Sequence, residues 1–324
     1  MALLTPLELS DAKLLGEQYG LEITRVEALA LGSVNSNFRL ESQAGRVFFA
    51  RIYEEQDAGG AAAEARMLEA LSRAGVPTAV PLVPRASGEL AAGLSRALGL
   101  LLYRAKPFAI YPWLEGESLC HARVTPEHCE RLGEALARVH LASQSFESLP
   151  EGRFGVSGIA ARIRNVSEQT HAYDADLELL RERLERYGQV RPDLPMGLVH
   201  GDLFRDNVLW QGSQLAALLD FESAYRGVLI YDLMVCALAW CYTSQFQLDR
   251  VAGLFKGYQR LRPLGAAERA ALVSQGGLAC VRFASTRLTD FELRAKPGQK
   301  PGRDYRRFLD RMRALENGAL SAIL

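Results

Sequence analysis

Cysteine is scarce in this chain, with five in 324 residues: Cys120, Cys129, Cys236, Cys241 and Cys280. Their odd number, and the lack of any C-x-x-C pair, argue against a disulfide framework or a thiolate zinc site. Neither sign of charge is in excess, since 38 Lys and Arg balance 38 Asp and Glu. A polyanion such as nucleic acid needs a basic surface, so no nucleic-acid partner is expected, although local basic pockets remain open. No apolar run approaches 18 residues, and the richest, Leu233 to Tyr242, is short and follows Asp232. No membrane span is therefore expected. Met1 to Ser10 has no basic flank and no long apolar stretch, so no signal peptide is expected and the location expected is cytoplasmic. Nothing in the pattern decides between monomer and homodimer.

What is present is ordinary for a globular chain: 48% hydrophobic and 23% charged residues, with length for one large domain or two modest ones. Pro6 to Tyr19 reads as a helix with Thr5 as N-cap, Glu8 completing a capping box and Gly20 ending it. Residues 24 to 53 read as strands, interrupted by the turn-rich Leu31 to Asn37 and by a hairpin turn at Gln43-Ala44-Gly45. Ala61 to Ala74 reads as a helix, and Leu98 to Tyr103 and Phe108 to Trp113 as strands. The first 112 residues thus form a sheet-based unit, and residues 113–324 a mostly helical one. Thr125 and Pro126 start a helix whose apolar face carries Leu132, Leu136, Val139 and His140. Further helices are expected over 159–187, 229–242, 247–260, 266–288 and 303–315, with short strands at Val208 to Trp210 and Ala216 to Asp220. Arg294 to Gly302 reads as a connecting loop. His121, His128 and His171 read as surface residues.

Chemistry concentrates in His200-Gly201-Asp202-Leu203-Phe204-Arg205-Asp206-Asn207, followed by Asp220-Phe221-Glu222. Phosphoryl transfer needs a carboxylate to orient an attacking hydroxyl and oxygen ligands to hold magnesium against a triphosphate. Asp202, Asn207 and Asp220 supply these groups in that order. Each alone is an ordinary solvated side chain, but the spacing H-x-D-x-x-x-x-N followed by D-F-x matches the catalytic and metal-binding segments of the protein-kinase fold. The expected architecture is α+β and bilobal: a small antiparallel-sheet N-lobe with one main helix, and a larger, mostly helical C-lobe. His200 reads as a structural residue of the loop. Asp232, in an apolar context, reads as a brace for that loop.

The N-lobe is then expected to hold ATP. Ser33 and Asn35, in the loop Gly32 to Asn37, can bring backbone N–H groups to phosphates, or can simply form a turn. Arg51 stands where a cation is needed for the α and β phosphates, with Glu64 as its expected partner. Tyr111 and Trp113 lie in the segment expected to meet adenine.

These segments resemble the aminoglycoside-phosphotransferase and choline-kinase superfamily. Gly32 to Phe38, His200 to Leu209, Tyr231-Asp232-Leu233, Ala239-Trp240-Cys241, Gly257-Tyr258, Arg262-Pro263-Leu264, Arg282-Phe283 and Thr286-Arg287-Leu288 are most similar to its bacterial homoserine-kinase branch. The likeness runs from about residue 5 to 315. It implies ATP and Mg²⁺ as cofactors and a small-molecule hydroxyl acceptor, L-homoserine giving O-phospho-L-homoserine. Asp202 would then be the base or orienter, with Asn207 and Asp220 the magnesium ligands. Two positions depart from the branch: Phe221-Glu222-Ser223-Ala224 replaces an aromatic-rich segment, and His-Gly-Asp replaces His-Ala-Asp. Glu222 therefore suits an amine or hydroxyl of a different acceptor, and Arg205, Arg282 and Arg287 are candidates for an acceptor carboxylate. Another amino alcohol, a sugar or an aminoglycoside remains the alternative acceptor, and a non-catalytic nucleotide-binding regulator the alternative class. Asp202→Ala is expected to abolish transfer while ATP binding survives in a calorimetric titration; near-normal turnover would overturn its role.

Overall fold

The structure, a computed structural model, describes residues 5–29, 34–85, 98–143, 146, 149, 152, 154–294 and 303–323. The expected loop from Arg294 onward lies almost wholly outside them, as does Ser33. The chain divides into two compact units, Met1–Gly116 and Glu117–Leu324.

The first unit begins with α1 (Leu9–Gln18) and contains a five-stranded sheet: β1 (Ile23–Leu29), β2 (Ser36–Ser42), β3 (Val47–Ile52), β4 (Leu100–Tyr103) and β5 (Lys106–Pro112). The order is β1-β2-β3-β5-β4 and every pairing is antiparallel. Period-two alternation sends Phe48, Ala50 and Ile52 into the core with Phe38, Leu40, Phe108 and Ile110. Arg51 therefore projects from the other face. Between β3 and β4 lies α2 (Ala58–Arg73), capped by the Asp57 side chain, which accepts from Gly60 N at 2.8 Å. The first helix starts three residues later than its sequence suggests. Thr5 does not cap it, because the Thr5 amide donates to Ser36 Oγ (3.1 Å) and its hydroxyl donates to Glu54 Oε2 (3.1 Å).

The second unit carries α3 (Pro126–Ala142), α4 (Val156–Gln169), α5 (Asp174–Tyr187), α6 (Leu229–Trp240), α7 (Leu248–Leu261), α8 (Ala266–Arg287) and α9 (Arg306–Glu316). Two small antiparallel pairs complete it: β6 (Met196–Val199) with β9 (Tyr225–Val228), and β7 (Val208–Gln211) with β8 (Gln214–Leu218). Thr125 caps α3 and Pro126 opens it. His128 is buried rather than on the surface, because its ring closes that cap through Thr125 and packs on Trp210 (4.7 Å). The expected helix over 159–187 is two helices. Thr170 is extended, and its hydroxyl accepts from Ala172 N at 3.2 Å, a local bond that competes with helix continuation.

α3 and α7 pack backbone to backbone. A Cβ added at Gly257 would lie 1.8 Å from the Glu130 carbonyl oxygen, and one at Gly133 2.1 Å from that of Leu254. That approach sets His140 of α3 against Tyr258 of α7, with Nδ1 2.7 Å from the hydroxyl. Gly257→Ala should therefore cost about 1–3 kcal/mol in denaturant unfolding; an unchanged midpoint would contradict the close approach.

Candidate active site

α6 is buried throughout and apolar on all sides apart from one charge in its first turn. That charge, Asp232, is fully buried and spends both oxygens on the loop that follows β6. Oδ2 accepts from His200 N (2.6 Å) and from His140 Nε2 (3.4 Å), and Oδ1 accepts from Gly201 N (3.0 Å). The chain of contacts extends outward. Tyr258 OH accepts from Arg262 Nη1 (3.1 Å), and Arg262 pairs with Glu268 at 2.8 Å. Burial works against ionisation of Asp232, but the hydrogen bonds from His140 and the His200 amide outweigh it and hold the carboxyl below its ordinary range. Burial also pushes His140 down from its ordinary 6.5. The pair is thus a neutral imidazole donating to an ionised carboxylate.

The loop itself turns at Gly201, whose φ of +75° is one that a side chain would strain. The His200 ring joins two segments: Nε2 donates to the Leu219 carbonyl (2.8 Å) and Nδ1 accepts from Asp202 N (3.3 Å). Asn207 Nδ2 donates to the Asp202 carbonyl at 2.8 Å, which turns the amide oxygen the other way. Leu219 N donates to the Asn207 carbonyl (2.9 Å), so the β7–β8 hairpin returns Asp220 beside Asn207. Asp220 sits at φ 63°, ψ 63°, a left-handed conformation that costs a non-glycine residue about 1 kcal/mol or more and is concentrated at functional sites. Trp240 Nε1 donates to the Leu203 carbonyl (3.0 Å), a second hold from α6.

Asp202, Asn207 and Asp220 are therefore brought together. The Asn207 amide oxygen and the Asp220 carboxylate are hard donors, and a pair of oxygens suits an ion that takes its remaining ligands from phosphate and water. No cluster of three or more His, Cys, Asp or Glu able to hold a metal by itself occurs among the described residues.

The arginines part company. Arg282 is 3% exposed, and its Nη1 donates to the Gly201 carbonyl (2.9 Å) and to Asp202 Oδ1 (3.4 Å). Arg287 faces away: Nη1 donates to the Asp304 carbonyl (2.8 Å) and its guanidinium lies 4.5 Å from the Phe308 ring. Burial, together with Arg311, Arg303 and Arg307, pushes Arg287 down to about 10. Arg205 Nη1 reaches the Leu119 carbonyl (3.4 Å), and Glu222 is half-buried in the turn Phe221–Ser223.

In the first unit, Arg51 pairs with Glu64 (3.4 Å) and donates through Nε to Asn37 Oδ1 (3.3 Å), with Phe49 and Tyr53 flanking it. Asn35 Oδ1 accepts from Glu54 N (3.1 Å). Tyr111 is buried with its hydroxyl 2.6 Å from that of Tyr53, and Trp113 lies 5.7 Å from the Arg39 guanidinium. The grip of Arg282 on Asp202 is absent from any local pattern, since the two are 80 positions apart.

The fold and this loop fit a phosphotransferase acting on a hydroxyl group, and comparison with known proteins supports that class. The model of a phosphotransferase enzyme family described as APH matches residues 25–264, and the chain belongs to that family. A homoserine kinase of Methylocella silvestris is 35% identical over 88% of this chain and 87% of its own length. One of Agrobacterium fabrum is 30% identical over 90% and 88%. Among solved structures, a spectinomycin phosphotransferase in complex with ADP and spectinomycin superposes with a TM-score of 0.68 at 13% identity, covering 97% of this chain and 95% of that one. A choline/ethanolamine kinase family protein of Mesorhizobium loti gives 0.58 at 18%, covering 92% and 88%. No helix of the described residues is long and apolar enough to cross a membrane.

Asp232→Asn sets an amide against two loop N–H groups and should cost about 2–4 kcal/mol in denaturant unfolding; wild-type stability would contradict the clamp. Acid should weaken the fold. The unfolded chain takes up a proton on His140 below pH 6.5 that the folded chain refuses, so stability present above that value is lost as pH falls. Asp232 adds a second loss on passing down through the carboxylate range. Unfolding midpoints should therefore drop from pH 7.5 to 5.5, and more shallowly in His140→Gln; equal slopes in the two proteins would contradict the neutral-imidazole pair.

Proposed function

We propose that the protein is an ATP-dependent kinase that phosphorylates L-homoserine to O-phospho-L-homoserine. The observation that carries this is Asp202 and Asn207 on a doubly clamped loop with Asp220 returned beside Asn207 by the β7–β8 hairpin, in a chain that aligns with homoserine kinases over most of its length. The acceptor hydroxyl oxygen bonds to the γ-phosphorus of ATP. The bond from that phosphorus to the β,γ-bridging oxygen breaks, and its electron pair leaves on ADP. The hydroxyl proton leaves by way of Asp202, whose side chain is about one-third exposed, 34%, and so open to a substrate.

Asn207 and Asp220 would hold Mg²⁺, which supplies charge neutralisation for the phosphates. Arg51, held by Glu64, is the cation of the first unit suited to the α and β phosphates. Tyr111, Trp113, Ser33 and Asn35 complete the proposed nucleotide contacts. Glu222 favours one second reading, an acceptor whose amine or extra hydroxyl meets a carboxylate in place of the aromatic segment of the branch.

An ATP-consumption screen over homoserine, choline, ethanolamine, hydroxylysine, methylthioribose and aminoglycosides tests both. Homoserine should turn over at about 1 per second or faster. Activity only on another acceptor would overturn the acceptor assignment, and activity on none would overturn the kinase.

A further inference from the structure

We propose that Arg282 is a positioning residue for Asp202: it fixes one carboxylate oxygen and the peptide before it, so that the other oxygen meets the acceptor hydroxyl. The proposal rests on the reading of the chain as a hydroxyl phosphotransferase.

The first support is how the loop backbone is held. Asp232 takes the amides of His200 and Gly201. Arg282 takes the Gly201 carbonyl, on the other side of the same residue. The peptide between Gly201 and Asp202 is thus fixed at its oxygen by Arg282 and at its nitrogen by the His200 ring. That peptide sets the direction in which the Asp202 Cα–Cβ bond leaves the chain. The same guanidinium nitrogen then reaches Asp202 Oδ1, which restricts the rotation of the carboxylate. Asp202 is 34% exposed and Arg282 only 4% by side chain, so the restraint comes from the protein side while the carboxylate stays partly open to solvent.

The second support is how Arg282 itself is held. Its guanidinium carbon lies 4.1 Å from the Phe154 ring centre and 3.9 Å from that of Phe283. Phe283 stacks on Phe308 at 4.9 Å and an interplanar angle of 21°, and Phe204 of the loop meets Phe283 edge-on at 4.8 Å. A planar cation packed against aromatic rings has little rotational freedom, and cation–π attraction offsets part of its desolvation. This packing also argues against Arg282 as an anchor for an acceptor carboxylate. Its Nη1 already serves two acceptors, the rings occupy its faces, and it is 3% exposed. A fork approached by an incoming carboxylate would have to be opened first.

Orientation of a reacting group is where such a restraint acts, since misplacement by about 1 Å can cost about 100-fold in rate. Steady-state kinetics of Arg282→Met and Arg282→Lys, with whichever acceptor the wild type turns over, test the assignment. For Arg282→Met, kcat should fall roughly 10- to 100-fold while KM for ATP and for the acceptor stays within about 3-fold. Arg282→Lys keeps a cation that reaches the same oxygens and should recover roughly 5-fold or more of that loss. A KM for the acceptor raised about 10-fold or more with kcat retained would make Arg282 a substrate anchor and overturn the proposal, as would an unchanged kcat. If Arg282→Met does not fold, Phe283→Leu decides: it keeps the charge and loosens its seat. A kcat lowered roughly 3- to 10-fold at unchanged KM supports the proposal, and wild-type kcat overturns it. A wild type that phosphorylates no acceptor takes down the kinase reading and this proposal together. A wild type that turns over with an unaffected Arg282→Met takes down this proposal alone.

Discussion

The second unit is organised around one buried carboxylate. Asp232 is a charge in the first turn of an otherwise apolar, buried helix, an arrangement that costs several kcal/mol unless the charge is hydrogen-bonded. Here both oxygens accept, from the amides of His200 and Gly201 and from the His140 ring. The consequence reaches in two directions. Toward the site, the clamp fixes the glycine turn that presents Asp202. Away from it, His140 and Tyr258 tie the clamp to α3 and α7, which can approach closely enough only because glycines line their contact. Packing of two helices and aim of one carboxylate are thus parts of a single hydrogen-bonded system.

Around that clamp the site is built from short-range elements. The His200 ring crosses from the Asp202 amide to the Leu219 carbonyl, and the hairpin of β7 and β8 carries the chain from Asn207 back to Asp220. Two oxygens suited to a hard cation and one partly exposed carboxylate follow from these few bonds. The backbone strain at Asp220 sits where the surrounding bonds over-determine it. In the first unit the same logic appears on a smaller scale. Strand alternation turns Arg51 out of the core, and Glu64 and Asn37 hold it there.

What was legible in the sequence was local. The loop from His200 to Asn207, its return at Asp220 and the Thr125–Pro126 helix start each show as a short run of residue types along the chain. The bracing role of Asp232 was legible because a lone acid in an apolar helix must find partners. Interactions between distant residues were not. Thr5 reads as a cap, but Ser36 and Glu54 claim it. His128 reads as surface until Trp210 packs on it. β6 and β9 are four residues each and exist only through each other. The break between α4 and α5 turns on one hydroxyl competing for a backbone amide. Arg282 reads as a carboxylate ligand when only its charge is known; its burial among Phe154 and Phe283 and its bonds to Gly201 and Asp202 come from tertiary packing.

The central claim is that this loop directs a phosphoryl group onto a hydroxyl rather than onto water. Phosphorus-31 magnetic resonance of a mixture of enzyme, ATP, Mg²⁺ and L-homoserine tests it most directly. A phosphomonoester signal coupled to a CH₂ group, growing in step with ADP, is the predicted result. ADP appearing with inorganic phosphate alone would contradict it.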